Sequence, residues 1–272
     1  MSFDFQEDRL INDISAADNI MLVLDKNDFG GHDKKTMRKI INENLAEVLK
    51  DYPSDKSTGT YSGGMKRRVC LVRAMMKKSD TVILDEPFSA LDGYLKDVLQ
   101  REMQDFLQDY PGDMILVTHS RDEAYKFCKE LSVVDGGRIL VTDETKRLFE
   151  NPRMLEAAKL TGCKNFSAVQ RLGEHEIYAT DWKIKLHTAE KVAEDITHVG
   201  IRGHWIRPED KPGENCLEVQ VDEYIETTFE HQYMIRRKGE EAAAGLWWMR
   251  PKNSFRELSL IHISEPPRLR CI

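Results

Sequence analysis

Asp85 and Glu86 stand side by side at the end of the apolar, β-branched run in TVILDEPFSALD, residues 81–92. A carboxylate in such a position can hold Mg2+ against phosphate oxygens, directly or through water. The one beside it can orient and deprotonate an attacking water. The same residues read equally well as a turn in which Asp-Glu-Pro ends a strand. His119 closes a second run, MILVTH, where it could contact a terminal phosphate and hold base and water in line, or serve as a structural histidine. Ser62 opens YSGGMKRR as a helix N-cap, and Gly63 and Gly64 let backbone N–H groups approach an anion closely. An ordinary helix start is the alternative there. Gln6 follows the first run, SFDF, and its amide could reach a metal or a water.

These residues need elements to carry them. Met37, Ile40, Ile41, Leu45, Val48 and Leu49 fall on one face of a helix over 34–50. A second helix is expected from Gly63, with Met65, Val69, Val72 and Met76 on one side, and the basic residues Lys66, Arg67, Arg68, Arg73, Lys77 and Lys78 read as a solvated face, with phosphate attraction as the alternative. Residues 81–85 and 114–118 predict strands buried on both faces, with an amphipathic helix between them. Ser120 with Glu123 predicts a capping box for the helix that follows. Residues 131–134 and 138–141 predict a hairpin around the turn at 136–137. Strand, helix, strand, helix gives a mostly parallel α/β sheet with covered faces, and ligands of such sheets sit outside the carboxyl ends of the strands. SFDF alternates like the end of a strand, yet no strand body stands before it.

The chain has 272 residues, room for one large or two ordinary domains, with 32% charged and 40% hydrophobic residues in the usual globular range. A net charge of −7 argues against nucleic acid as the partner. No apolar run approaches the ~18 residues of a membrane span, and nothing reads as a secretory signal. Cys70, Cys128, Cys163, Cys216 and Cys271 show no CxxC pairing, which fits reduced thiols rather than a disulfide framework or a zinc site. These features predict a cytoplasmic globular protein.

In this order the stretches resemble the ATP-binding cassette of ABC transporters. FQEDRL resembles the importer Q-loop at Gln6, YSGGM the signature motif usually written LSGGQ, and VILDEP the Walker B strand with its catalytic glutamate. SALD resembles the D-loop ending in Asp92, and VTHS the switch histidine. The resemblance implies ATP as substrate with Mg2+, Glu86 and His119 as catalytic residues, and Asp85 and Gln6 at the metal. It implies Gln6, Ser62, Gly63, Gly64, Met65, Asp85 and Asp92 as nucleotide contacts, some made across a head-to-tail dimer. Its implied partners are a second ATPase subunit and an integral-membrane permease, at the inner face of the cell membrane. Tyr61 and Met65 replace the usual Leu and Gln, which leaves the serine hydroxyl and glycine N–H groups in place. A working cassette also needs a phosphate loop, GxxxxGK[ST], whose N–H groups and lysine cradle the phosphates. The chain contains no Gly-Lys dipeptide. The expectation is a partial P-loop NTPase-type cassette, truncated before the Q-loop, that does not bind ATP alone. A second reading is a non-catalytic regulatory protein lending its signature motif to a complete partner cassette.

The domain expectation is a partial ATPase domain over 1–143, a helical connector over 144–164 and a small β domain over 165–257. EIYATDWKIKLHT, HVGIRGHWIRPED and LEVQVDEYIETTFEHQYMIRR alternate between Gly and Pro turns, which predicts a small OB-like β-barrel. LTGCKNFS followed by VGIRGHWIRPED resembles the C-terminal regulatory extension of importer ATPases for molybdate, sulfate and related oxyanions. Arg202, His204 and Arg207 read first as ordinary strand residues, with a regulatory oxyanion site as the alternative. Trp247 and Trp248 read as core and dimer contact, with a ligand box as the alternative. Residues 258–272, ending in LSLIHISEPPRLRCI, break the pattern, resemble translated sequencing-adapter read-through and are expected to be a non-native tail.

Overall fold

In a computed structural model of the chain, strand β1 (Ser2–Asp4) alternates opposite to its hydrophobicity: Ser2 and Asp4 are buried and Phe3 is exposed. The structure describes residues 2–5, 7–25, 27–28, 30–49, 55–77, 79–89, 93–108, 110–208, 213–252, 260–263 and 270–271. Contacts divide the chain into two units, Met1–Cys128 and Lys129–Ile272.

The first unit is a parallel sheet with helices against one side. After β1 come α1 (Ala16–Met21), α2 (Lys34–Leu49) and α3 (Gly63–Met76), then β2 (Thr81–Asp85), α4 (Gly93–Gln108), β3 (Asp113–Val117) and α5 (Arg121–Phe127). The strand order is β1-β2-β3, all parallel. The apolar stripe Met37, Ile41, Leu45 and Leu49 of α2 packs on Ala16, Ala17 and Ile20 of α1 and on Val69 and Val72 of α3. The other face of α3 turns Leu71 and Ala74 onto Val82 and Leu84 of β2, with Leu99 of α4 and Phe88 completing the layer. This explains the inversion in β1: facing α3, Ser2 Oγ donates to Ala74 O at 2.9 Å and Asp4 meets Arg67.

The opposite face of the sheet departs from expectation. Phe3, Ile83 and Ile115 lie in one cross-strand row, and Phe3, Ile115 and Val117 are 38, 50 and 47% exposed. The β-branched runs therefore do mark strands, but among the described residues the helices pack on the Val82–Leu84 side, and β3 is an exposed strand rather than a doubly buried one.

The second unit begins with a hairpin, β4 (Glu130–Asp135) and β5 (Arg138–Glu144), turned at Gly136 and Gly137 with φ +53° and +75°. Positive φ at both central residues is the hairpin turn that glycine adopts without penalty. Val133 of the hairpin packs with Leu148 of α6 (Thr145–Glu150) and Ala157 of α7 (Leu155–Leu160), so 129–143 groups with the second unit. Ten strands follow: β6 (Asn165–Arg171), β7 (Glu176–Ala179), β8 (Ile184–His187), β9 (His198–Ile201), β10 (Ile206–Pro208), β11 (Cys216–Glu226), β12 (Glu230–Arg237), β13 (Leu246–Pro251), β14 (Leu260–Ile263) and β15 (Arg270–Cys271). They form two five-stranded sheets, β15-β9-β6-β7-β8 and β10-β14-β11-β12-β13. A barrel needs every strand paired on both sides, whereas β8 and β13 end their sheets. Among the described residues there is thus no closed barrel, and the OB-like expectation gives way to two open sheets around one core. That core joins Ile177, Leu186 and Val199 to Ile206, Ile235 and Trp248, with Trp182 between. The expected tail supplies β14, paired between β10 and β11, and β15, at the edge beside β9, where unpaired backbone groups accept an extended segment.

Candidate functional site at the carboxyl ends of β2 and β3

β2 and β3 are adjacent, parallel and in register at Asp85 and Val117, so the residues after them leave the sheet at the same edge. Glu86 N–H donates to Val117 O at 2.9 Å, carrying the β2–β3 pairing one residue past the strand. Glu86 has φ +48°, a left-handed conformation that costs an L residue ~1–2 kcal/mol. In that conformation its carboxylate meets β3's continuation: Oε1 lies 2.6 Å from His119 Nδ1 and accepts the His119 N–H at 3.1 Å. The Glu86 side chain is 17% exposed and that of His119 80%, so the acid is sheltered and the imidazole faces solvent. Two residues 33 positions apart thus form one acid–imidazole pair at the ligand-facing edge of a parallel sheet.

The backbone beside His119 is held by a network unlike the predicted capping box. Ser120 Oγ accepts from Glu123 N–H at 3.5 Å, but Ser120 N–H donates to Thr118 Oγ1 at 3.0 Å. The Glu123 carboxylate takes Thr118 Oγ1 at 2.5 Å and the Lys96 ammonium at 2.6 Å instead. Lys96 draws it away because a buried carboxylate gains more from a charged donor than from a backbone N–H.

Ser62 is the N-cap of α3, its Oγ accepting from Met65 N–H at 3.3 Å. Ser62 and Gly63 are exposed, which leaves this helix start open to an anion. Gly64 is half-buried behind them. Both departures from the usual signature are taken up by packing: Tyr61 is buried in the α1–α2–α3 core and Met65 packs against it. Gln6 and Asp92 lie outside the described residues. Asp85, half-buried at the end of β2, offers one carboxylate, and no group of three His, Cys, Asp or Glu side chains gathers among the described residues. One carboxylate plus phosphate oxygens is the donor set that suits Mg2+ rather than an all-protein cage.

Arg67, expected on a solvated face, is instead buried. Its side chain is 1% exposed. It donates from Nε to Pro87 O at 2.8 Å, from Nη1 to Phe5 O at 2.6 Å and from Nη2 to Asp4 Oδ2 at 2.5 Å, with Asp85 O at 3.4 Å from Nη2. Asp4 Oδ1 has no hydrogen-bond partner, and burial pushes the Asp4 carboxyl up to about 6 even though the Arg67 guanidinium pulls it down. The signal was available: Arg67, Leu71 and Ala74 fall on one helical face, so the charge sits in line with the core. Lys66, Arg68, Arg73 and Lys77 are half-buried rather than fully solvated, and Lys78 lies outside the described residues. Lys77 pairs with Asp25 and Asp28, and Lys66 donates to Asn12.

In the second unit Arg202 is committed to structure, donating to Thr161 O at 2.5 Å and Phe149 O at 2.6 Å. His204 lies 3.7 Å from Glu230, and Arg207 is exposed. Trp248 is core and its Nε1 donates to Ile206 O at 3.0 Å.

Residues 1–89 match the family described as ABC transporter. The chain is 37% identical over 109 residues to the Fe(3+) ions import ATP-binding protein FbpC of Haemophilus influenzae, covering 40% of this chain and 31% of that protein. It is 33% identical over 157 residues to the sulfate/thiosulfate import ATP-binding protein CysA of Anthoceros angustus, 56% of this chain and 39% of that protein. It is 33% identical over 172 residues to the spermidine/putrescine import ATP-binding protein PotA of Pseudomonas fluorescens, 63% and 47%. The chain spans 31 to 47% of the length of these curated relatives. The resemblance carried by the motifs is borne out over the matched residues: 1–89 are similar to the ABC transporter family, and these relatives are named as import ATP-binding proteins. No helix among the described residues is long and apolar enough to cross a membrane.

Proposed function

We propose that this chain, an ABC transporter sequence in its first unit, supplies the hydrolytic and signature parts of an ATP site that drives an importer. The observation that carries the reading is the Glu86–His119 pair, 2.6 Å apart where two parallel strands end. Glu86 orients the attacking water and takes its proton. His119 holds the Glu86 carboxylate through Nδ1 and presents its exposed ring toward the terminal phosphate. Asp85, with Gln6, would hold Mg2+, which supplies charge neutralisation to the phosphates when bound. Ser62, Gly63, Gly64 and Met65, with Asp92, face the nucleotide of a second subunit, so the working form is a dimer on a membrane permease at the inner face of the cell membrane.

In the division 1–143, 144–164 and 165–257, an ATPase part and a helical connector are followed by a small regulatory β domain over 165–257. An oxyanion such as molybdate or sulfate is the cargo this reading favours. Its support is the LTGCKNFS and VGIRGHWIRPED stretches and a sulfate/thiosulfate relative, although other relatives are named for iron and polyamines. A regulatory oxyanion at Arg202 has less support, since that guanidinium already serves two carbonyls.

The exposed helix start at Ser62 and Gly63 also fits a second reading, in which the chain lends its signature motif to a complete cassette without hydrolysing ATP itself. The two separate in a chimera with the phosphate-loop segment of the iron-import relative joined ahead of residue 1. The first reading expects MgATP hydrolysis that Glu86→Gln lowers by ~10²–10⁴, with nucleotide binding retained. Hydrolysis indifferent to Glu86→Gln overturns it. A chimera that binds nucleotide without turnover supports the second.

A further inference from the structure

We propose that Arg67 is a positioning residue that ties the start of α3 to the Glu86 turn, so that whatever engages Ser62–Met65 acts on the hydrolytic carboxylate of the same chain. The inference rests on the role given to Glu86 above and adds a residue to it. Arg67 lies in the second turn of α3, on the helix that Ser62 caps. Its fork spreads over two strand ends, reaching Pro87 O and Asp85 O on either side of Glu86, and Phe5 O and Asp4 at the end of β1.

Three features separate positioning from filling. The held carbonyls flank the residue with φ +48°, and a left-handed glutamate persists only where its surroundings over-determine it. The planar guanidinium offers donors in fixed directions, which a lysine ammonium cannot reproduce across Phe5, Asp85 and Pro87. Where only bulk is needed, apolar side chains of similar volume replace a buried ion pair without loss. Arg73 provides the contrast on the same helix: it donates to Arg9 O at 2.9 Å and Asp8 O at 3.3 Å, outside the Glu86 turn.

The test is residue-resolved amide hydrogen exchange on the full chain without nucleotide. The reporters are the Glu86 N–H, bonded to Val117 O, and the His119 N–H, bonded to Glu86 Oε1. Arg67→Lys is expected to speed exchange at both by roughly tenfold while the Ile83 and Leu84 amides of β2 keep their rates. Arg73→Gln is expected to leave both reporters within about twofold. If Arg67→Lys does not fold, Arg67→Gln with Asp4→Asn, which leaves no unpaired buried charge, carries the same expectation. Unchanged reporters, or a uniform rise across β1, β2 and β3, overturn the proposal. The readout needs no turnover, so an inactive chimera with a local exchange change sinks the functional reading alone, and an active one with unchanged reporters sinks this inference alone.

Discussion

The second unit buries Trp182 and Trp248 in a core of branched aliphatic side chains, whereas the first unit buries a charged pair, Arg67 and Asp4, to the same depth. An apolar core is stabilised simply by leaving water, at about 25 cal/mol per Å2. A buried ion pair loses the hydration of both ions, and its attraction repays this only with good geometry and filled hydrogen bonds. Arg67 has those bonds; Asp4 leaves one oxygen unmatched. The charged pair sits at the ends of β1 and β2, where the candidate chemistry lies, and among the described residues the sheets of the second unit carry no ion pair buried to that depth. We read the difference as shape held by apolar packing in one unit and a functional edge held by directed polar bonds in the other.

Trp248→Ala should have the largest effect on stability, ~3–5 kcal/mol for the lost side chain plus the cost of an unmatched Ile206 carbonyl, measured by denaturant unfolding. Arg67→Leu should lose roughly 3–5 kcal/mol because it strands Asp4, and adding Asp4→Leu should recover most of it. If the double variant stays as weak as the single one, the pair is not what the loss reports.

Next comes pH. The folded value of Asp4, about 6, lies above its ordinary 3.8, so folding takes up a proton between those values. The stability from this site is full below about pH 4 and is lost as pH rises through about 6, on the order of 3 kcal/mol in all. Arg67 and Arg73 oppose the rise in Asp4, while Asp8 and Asp85 assist it. Other carboxylates work the other way: the Arg38 hydrogen bond, with that of Ser15, holds Asp18 low. The measurement is therefore the difference between wild type and Asp4→Asn across pH 4–7. The smallest effect belongs to the uncovered sheet face, where Ile115→Ser should stay within about 0.5 kcal/mol. A larger loss there would mean that Ile115 is not exposed in solution.

The strand ends were legible because chemistry and pattern coincided: a β-branched run ending in Asp-Glu, another ending in His. Legible too was the N-cap at Ser62, which depends on local backbone geometry. What escaped reading depended on neighbours distant in sequence. Alternation in SFDF found β1 but not which side faced inward, because Ser2 and Asp4 are buried through partners on α3. A basic run on a helix reads as solvated by its charge, whereas helical position puts Arg67 in line with Leu71 and Ala74. Glu123 looked like a capping-box acid until Lys96, from another helix, claimed its carboxylate. Short alternating strands identified the β character of the second unit, but closure depends on which strands pair last, and that is not written in any one segment.

The central claim is that Glu86 and His119 act as one unit. The most direct measurement is a double-mutant cycle on MgATP turnover in the loop-supplied chimera, using Glu86→Gln, His119→Ala and both together. Residues acting through one contact should show strong non-additivity, the double variant losing little more than the worse single one. Independent, multiplying losses would contradict the pairing.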